Sequence, residues 1–112
     1  MNYPKKVTIG DITVRDGFQH EEKFIPTEAK IWLAEQLILA GFKYIEVTNL
    51  GNPLGMPQFK DADDVLTSIR NSKKVAHLLN DVKLTAITIR EKAIERAIRA
   101  RQEGYGPDRI LL

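Results

Sequence analysis

Strand-like and helix-like segments alternate along this chain, and that alternation is what most constrains its fold. Runs rich in β-branched residues lie at 7–14, 42–48, 82–89 and 108–112, and helical patterns lie between them at 28–40, 62–72 and 91–103. Gly41 and Gly104 follow two of these helices and are expected to end them. The regular order strand, helix, strand, repeated to a fourth strand, predicts an α/β protein with a parallel sheet and right-handed crossovers.

Two architectures satisfy this order. One is an open flavodoxin-like sandwich, which would be complete at about this length, and the other is a (β/α)8 TIM barrel, which needs roughly 250 residues. The sequence stops at residues 110–112, apolar and within the fourth predicted strand. An uncovered parallel strand there would leave an apolar face and an unpaired edge. We therefore expect residues 1–112 to be a partial catalytic domain, the N-terminal β1-α1-β2-α2-β3-α3-β4 portion of a TIM barrel.

Composition narrows the classes of function. Seventeen basic and fifteen acidic residues leave a net charge of +2, too balanced to predict binding to nucleic acid or to a membrane surface. The chain has no cysteine, which removes disulfides and thiolate chemistry from these residues. It also lacks a signal-peptide pattern and any apolar run of about 18 residues, so a cytoplasmic location is expected.

Polar side chains follow the first two predicted strands. Arg15, Asp16 and Gln19 come directly after the first strand, and Glu46 lies thirty residues beyond Asp16, near the end of the second. Because ligands bind at the carboxyl ends of parallel strands, we expect these residues on one rim. A carboxylate can hold a hard divalent cation there, and a guanidinium can stabilise an enolate oxygen. The pattern predicts a site for making or breaking a C–C bond beside a carbonyl. A solvated loop, and an ordinary ion-pair role for Glu46, remain the alternatives.

Other candidates are weaker. Asp11 is either part of the site or a hydrogen-bonded carboxylate. His20 is expected to be exposed, with a substrate contact as the alternative, and His77 to be structural. The first helix is expected to face the core with an apolar stripe at residues 29, 33, 37 and 40, and residues 49–59 form a candidate active-site loop.

Three segments carry a resemblance to a known family. The segment Arg15-Asp16-Gly17-Phe18-Gln19-His20-Glu21 resembles the arginine-aspartate-glycine-leucine-glutamine-asparagine-glutamate motif of 3-hydroxy-3-methylglutaryl-CoA lyases. Residues 45–48 resemble the next block of that family, and residues 56–58 with Asp61 resemble the loop and helix start that follow. The resemblance covers about residues 7–70 and is weaker over 82–112, where residues 87–90 depart from the family.

The wider group is the metal-dependent lyases and Claisen-type synthases that share a pyruvate carboxyltransferase domain on an eightfold barrel. Synthases usually carry glutamate where Phe18 stands, so Phe18 and Glu21 favour the lyase side. The resemblance implies retro-Claisen cleavage of a 3-hydroxy-3-methylglutaryl-CoA-type substrate to an acyl-CoA and a keto acid. The alternatives are a synthase condensing acetyl-CoA with a 2-oxo acid, and a non-catalytic α/β module that binds a ligand or partner.

The resemblance also implies roles for individual residues. Asp16 resembles, by its position in the motif, the family's ligand of the divalent metal, Mg²⁺ or Mn²⁺. Arg15 resembles the catalytic residue that stabilises the enolate and contacts the substrate carbonyl. Gln19 would bind substrate or neighbour a metal-bound water, Glu46 would orient Arg15 or the substrate, and Asp11 would support the site. The family's remaining ligands, two histidines and an asparagine, lie on later strands. We therefore expect this chain to be inactive alone. The full-length form is expected to be a homo-oligomer.

Overall fold

A computed structural model describes residues 2–112. Four strands alternate with three α-helices, in the order β1 (Gly10–Asp11), α1 (Thr27–Leu39), β2 (Tyr44–Asn49), α2 (Ala62–Arg70), β3 (Lys83–Ile87), α3 (Glu91–Gln102) and β4 (Arg109–Leu111). Three short helical turns, at Thr13–Gly17, Pro57–Phe59 and Leu79–Asp81, lie in the connections. The predicted parallel α/β alternation is confirmed.

Strand order separates the two architectures left open by the sequence. All pairings are parallel and each strand lies beside the next one in the chain, in the order β1-β2-β3-β4. A flavodoxin-like sheet would instead place its first strand between the second and the third. The order found here is the order of consecutive strands in an eightfold barrel.

The two faces of the sheet differ in chemistry because side chains alternate along a strand. Ile45 and Val47 of β2, with Leu84 and Ala86 of β3, are buried in one apolar cluster with side chains from all three helices. The opposite face, which includes Tyr44, Glu46 and Thr85, borders an open concavity of about 700 Å³. The polar residues of the sheet therefore share the face that the helices leave uncovered.

The first strand is much shorter than the predicted 7–14. Only Gly10 and Asp11 pair with β2, and the chain then enters a π-helical turn at Thr13–Gly17. One cause is the Asp11 carboxylate, which accepts hydrogen bonds from the Thr13 amide (2.8 Å) and hydroxyl (3.1 Å). Such a bond to the backbone two residues ahead competes with strand pairing and bends the chain.

Helix α1 turns its predicted apolar stripe to the core only in part, because Leu33 and Leu37 pack partly buried against the core cluster. Its buried residues are Lys30, Ala34, Glu35 and Ile38, whereas Ala29 and Ala40 are exposed. Lys30 and Glu35 are tolerated inside because Asp61 and Ser72 supply polar partners.

The expected helix ends are confirmed. Gly41 and Gly104 adopt φ values of +104° and +91°, which an L side chain rarely reaches. Across residues 2–112, no helix has the length and apolar character needed to cross a bilayer.

Candidate active site

Arg15 and Asp16 lie in the π-helical turn rather than at the end of a strand. The Ile12 carbonyl accepts hydrogen bonds from the Asp16 amide (2.7 Å) and the Gly17 amide (3.3 Å). Val14 is fully buried within the core cluster, which anchors the turn against the sheet. Single π-turns occur often at functional sites. This one presents Arg15 and Asp16 beside the polar face of β2.

The Arg15 guanidinium is paired with Glu46 across the sheet. Its Nε and Nη2 atoms both donate to Glu46 Oε1, at 2.9 Å and 2.7 Å. The two side chains are only 16% and 17% exposed, so water screens the pair weakly. Glu46 is the third of six residues in β2, not near its end as expected. It lies within reach of Arg15 because β1 ends at Asp11, which pairs with Ile45, the neighbour of Glu46.

Two more side chains complete the surroundings of Arg15. Its Nη1 atom donates to Asp16 Oδ1 (3.0 Å) and to Gln19 Oε1 (3.3 Å). Three partners therefore fix the plane of one guanidinium, and charge-assisted bonds of this kind are the stronger ones. The structure thus brings together four of the predicted site residues: Arg15, Asp16, Gln19 and Glu46.

Asp11 and the two histidines lie differently. The Asp11 carboxylate accepts both of its hydrogen bonds from Thr13, so Asp11 holds the turn. Within residues 2–112, no hydrogen bond joins Asp11 to Arg15. His20 is 76% exposed, with Nε2 3.8 Å from Asp16 Oδ1. His77, expected to be structural, is also exposed.

The donor set fits a metal only in part. The Asp16 side chain is 40% exposed and offers carboxylate oxygen, the ligand that Mg²⁺ and Mn²⁺ prefer. Within residues 2–112, however, no group of three or more histidine, cysteine, aspartate or glutamate side chains could hold a metal ion. The described residues can supply one ligand and do not form a complete site.

A buried ion pair joins Lys30 of α1 to Asp61, and the sequence did not predict it. Lys30, 1% exposed, donates to Asp61 Oδ1 (2.9 Å) and Oδ2 (3.1 Å) and to the Gln58 carbonyl, and its ammonium lies 4.1 Å from the Phe24 ring centroid. Burial lowers the pKa of Lys30, although the Asp61 carboxylate opposes that change. One signal was available: Lys30 precedes the buried Ala34 and Ile38 by one and two helical turns, so it interrupts an apolar face.

The candidate loop at 49–59 is held by α3. Arg96 donates to the carbonyls of Leu50 (3.2 Å) and Gly51 (3.4 Å) and to Asp63 Oδ2 (2.9 Å). Tyr105 donates to the same carboxylate at 3.4 Å, and burial together with Asp63 raises the pKa of Tyr105. A cavity of about 1040 Å³ lies between this loop and the start of α3.

Comparison with known proteins supports one family. Residues 6–105 match the family model described as HMGL-like. The chain is 38% identical over 98 residues to a hydroxymethylglutaryl-CoA lyase of Bacillus subtilis, covering 88% of this chain and 30% of the relative. It is 31% identical over 97 residues to the mitochondrial hydroxymethylglutaryl-CoA lyase of Arabidopsis thaliana, covering 87% of this chain and 19% of the relative.

Solved structures agree. The hydroxymethylglutaryl-CoA lyase of Pseudomonas aeruginosa matches with a TM-score of 0.77 and 33% identity, covering 90% of this chain and 31% of that one. A lyase of Acinetobacter baumannii, solved with coenzyme A and 3-methylmalate, matches with a TM-score of 0.71 and 30% identity, over 84% of this chain and 28% of that one. The chain therefore spans about a third or less of these relatives. Its sheet and helices match the N-terminal part of their TIM barrel.

Proposed function

Since this chain belongs to the HMGL-like family, we propose that it forms part of a divalent-metal-dependent carbon–carbon lyase acting on a 3-hydroxy-3-methylglutaryl-CoA-type substrate. The observation that carries the proposal is the Arg15 guanidinium, held by Glu46, Asp16 and Gln19 on the uncovered face of the sheet. A fixed cation at such a position stabilises negative charge that develops during a reaction.

In the proposed retro-Claisen cleavage, the tertiary hydroxyl of the substrate loses its proton and becomes a carbonyl. The bond to the carbon beside the thioester breaks, and its electron pair forms the enolate of the acyl-CoA product. Protonation of the enolate carbon then gives the acyl-CoA and balances the proton that the hydroxyl lost. Arg15 stabilises the enolate oxygen, with its plane fixed by two bonds to Glu46 Oε1. Because Glu46 already holds the guanidinium in the resting protein, little reorganisation is needed as charge develops.

Asp16 would contribute one oxygen ligand to Mg²⁺ or Mn²⁺, and further ligands would come from outside these 112 residues. Bound there, the metal would polarise the oxygens of the substrate. Gln19 would contact substrate at the edge of the cluster, and Asp11 would keep the turn in shape. On this proposal, residues 1–112 are inactive alone.

The acyl-CoA substrate class is supported by the relative solved with coenzyme A and 3-methylmalate. The opposite reaction, condensation of acetyl-CoA with a 2-oxo acid, is an outcome of the test below. The cytoplasmic location and the homo-oligomeric assembly stay predictions.

The test uses the intact protein that contains this chain. Arg15→Gln should lower kcat for cleavage of 3-hydroxy-3-methylglutaryl-CoA by about 10²–10³-fold, the usual cost of removing a charge-stabilising donor. Lys74→Gln, at an exposed position, is the matched loss of one positive charge and should leave kcat unchanged. Equal rates in Arg15→Gln and wild type would refute the role of Arg15. Wild-type protein that condenses acetyl-CoA with a 2-oxo acid and cleaves nothing would refute the direction.

A further inference from the structure

The segment between the π-helical turn and α1 makes few hydrogen bonds of its own. Phe18 and Gln19 are still helical, residues 20–26 form no regular element, and residues 21–24 are exposed. A loop of this kind moves readily unless something outside it holds the backbone.

One side chain does hold it. The Gln58 amide donates from Nε2 to the carbonyls of Lys23 (2.9 Å) and Glu21 (3.2 Å), and its Oε1 accepts from the Ile25 amide (2.7 Å). A single glutamine therefore satisfies three backbone groups of loop 21–25, although more than thirty residues separate it from them in the sequence.

Gln58 is itself immobilised. It lies in the short helical turn Pro57–Phe59, where the Phe59 side chain is buried. Its carbonyl accepts from the Lys30 ammonium, which Asp61 also holds. Phe24 of the loop lies against the same ammonium, so the loop is held at a second point. Gln58 is therefore held more firmly than loop 21–25, whose backbone it binds.

The anchored loop begins two residues after Gln19, and Gln19 contacts Arg15 across one helical turn. We propose that Gln58 is a positioning residue for the candidate active site. It fixes loop 21–25 and thereby keeps Gln19, and with it the Arg15 guanidinium, in place. The kinetic part of this inference rests on the proposed lyase function, whereas the positional part does not.

The test is Gln58→Leu in the intact protein, which removes the amide and keeps the backbone carbonyl that Lys30 needs. Exchange of the Ile25 amide should quicken by about tenfold, as expected when one local hydrogen bond is lost. Exchange of the Arg15 Nε–H should quicken with it, while α2 amides such as Val65 stay unchanged. For cleavage of the acyl-CoA, kcat should fall and KM should change less than about twofold, because the group acting on developing charge is displaced while the bulk of the binding surface is not.

Two further variants sharpen the result. Gln58→Glu keeps the acceptor for the Ile25 amide but lacks donors for the two carbonyls, so its exchange rates should be intermediate. Gln36→Leu makes the same substitution at an exposed position of α1 and should match wild type in every measurement.

Wild-type exchange at Ile25 in Gln58→Leu would overturn the anchoring. Faster exchange at Ile25 with an unchanged Arg15 Nε–H would overturn the link to the site. If wild type cleaves no acyl-CoA, the proposed function fails, and the two exchange measurements still decide the role of Gln58.

Discussion

Asp61→Leu is expected to destabilise the fold by about 3–5 kcal/mol, because it removes one partner of a buried ion pair and leaves the other charged. The Lys30 side chain is 1% exposed and the Asp61 side chain 7% exposed, so water cannot solvate the charge that remains when one partner is removed. After the substitution the ammonium keeps only the Gln58 carbonyl and the aromatic rings of Phe24 and Phe59. The Thr27 hydroxyl also loses its acceptor, which lay at 2.7 Å.

The ability of lysine to lose its proton sets a ceiling on this cost. Neutralising a lysine with an ordinary pKa of about 10.4 at pH 7 costs about 4.6 kcal/mol, at about 1.36 kcal/mol per pH unit. The variant cannot lose more than this from the Lys30 charge, because the neutral amine is the cheaper alternative beyond that point. Burial lowers the folded-state pKa of Lys30 in the variant, so its stability should rise as pH increases from the folded-state pKa toward about 10.4.

Lys30→Met removes the other partner of the pair and should also destabilise the fold. It leaves the Asp61 carboxylate buried with the Thr27 hydroxyl as its remaining side-chain donor, so a negative charge stays inside without its cation. The double variant, with both charges replaced by apolar side chains of similar size, should be close to wild type.

Urea unfolding of the intact protein, followed by far-UV circular dichroism at pH 5, 7 and 9.5, measures these differences. Asp64→Leu, at an exposed position in the first turn of α2, three residues after Asp61, is the matched control and should lose less than about 1 kcal/mol. Losses below about 1 kcal/mol in both single variants, or a stability of Asp61→Leu that does not rise between pH 7 and 9.5, would refute the reasoning.

Three further results are expected. Glu46→Gln should lower kcat by about 10–100-fold in an acyl-CoA cleavage assay, less than loss of Arg15 itself, because the guanidinium stays but is held by a neutral partner. Burial raises the pKa of the Asp108 carboxyl, but bonds from the Leu84 amide and the Arg70 guanidinium outweigh it and hold that pKa below its usual value. Its stabilisation is therefore present above about pH 3.9 and lost as pH falls through the lower folded value, so acid titration should show a smaller loss for Asp108→Asn than for wild type. Gly41→Ala should cost about 1–2 kcal/mol in thermal unfolding, because an L residue at φ +104° is strained, whereas Gly55→Ala, at a glycine without positive φ, should not.

Local sequence was sufficient for the elements and their ends. Apolar periodicity predicted three helices to within a few residues, and Gly41 and Gly104 marked two of their ends because only glycine takes a positive φ without strain. The motif at residues 15–21 identified the family because all of its residues lie in one continuous segment. These features depend on neighbours along the chain, which a sequence displays directly.

Tertiary structure decided what depends on distant partners. The first predicted strand became a strand of two residues followed by a π-helical turn, and α1 turned Lys30 inward instead of Ala29. Glu46 met Arg15 from the middle of β2, and Gln58 was placed against loop 21–25. A charge or an amide is stable inside only where a partner meets it. Here each partner lies about thirty residues away in the sequence. The local sequence therefore does not show which polar side chain will be buried, and only the folded sheet and helices bring the partners together.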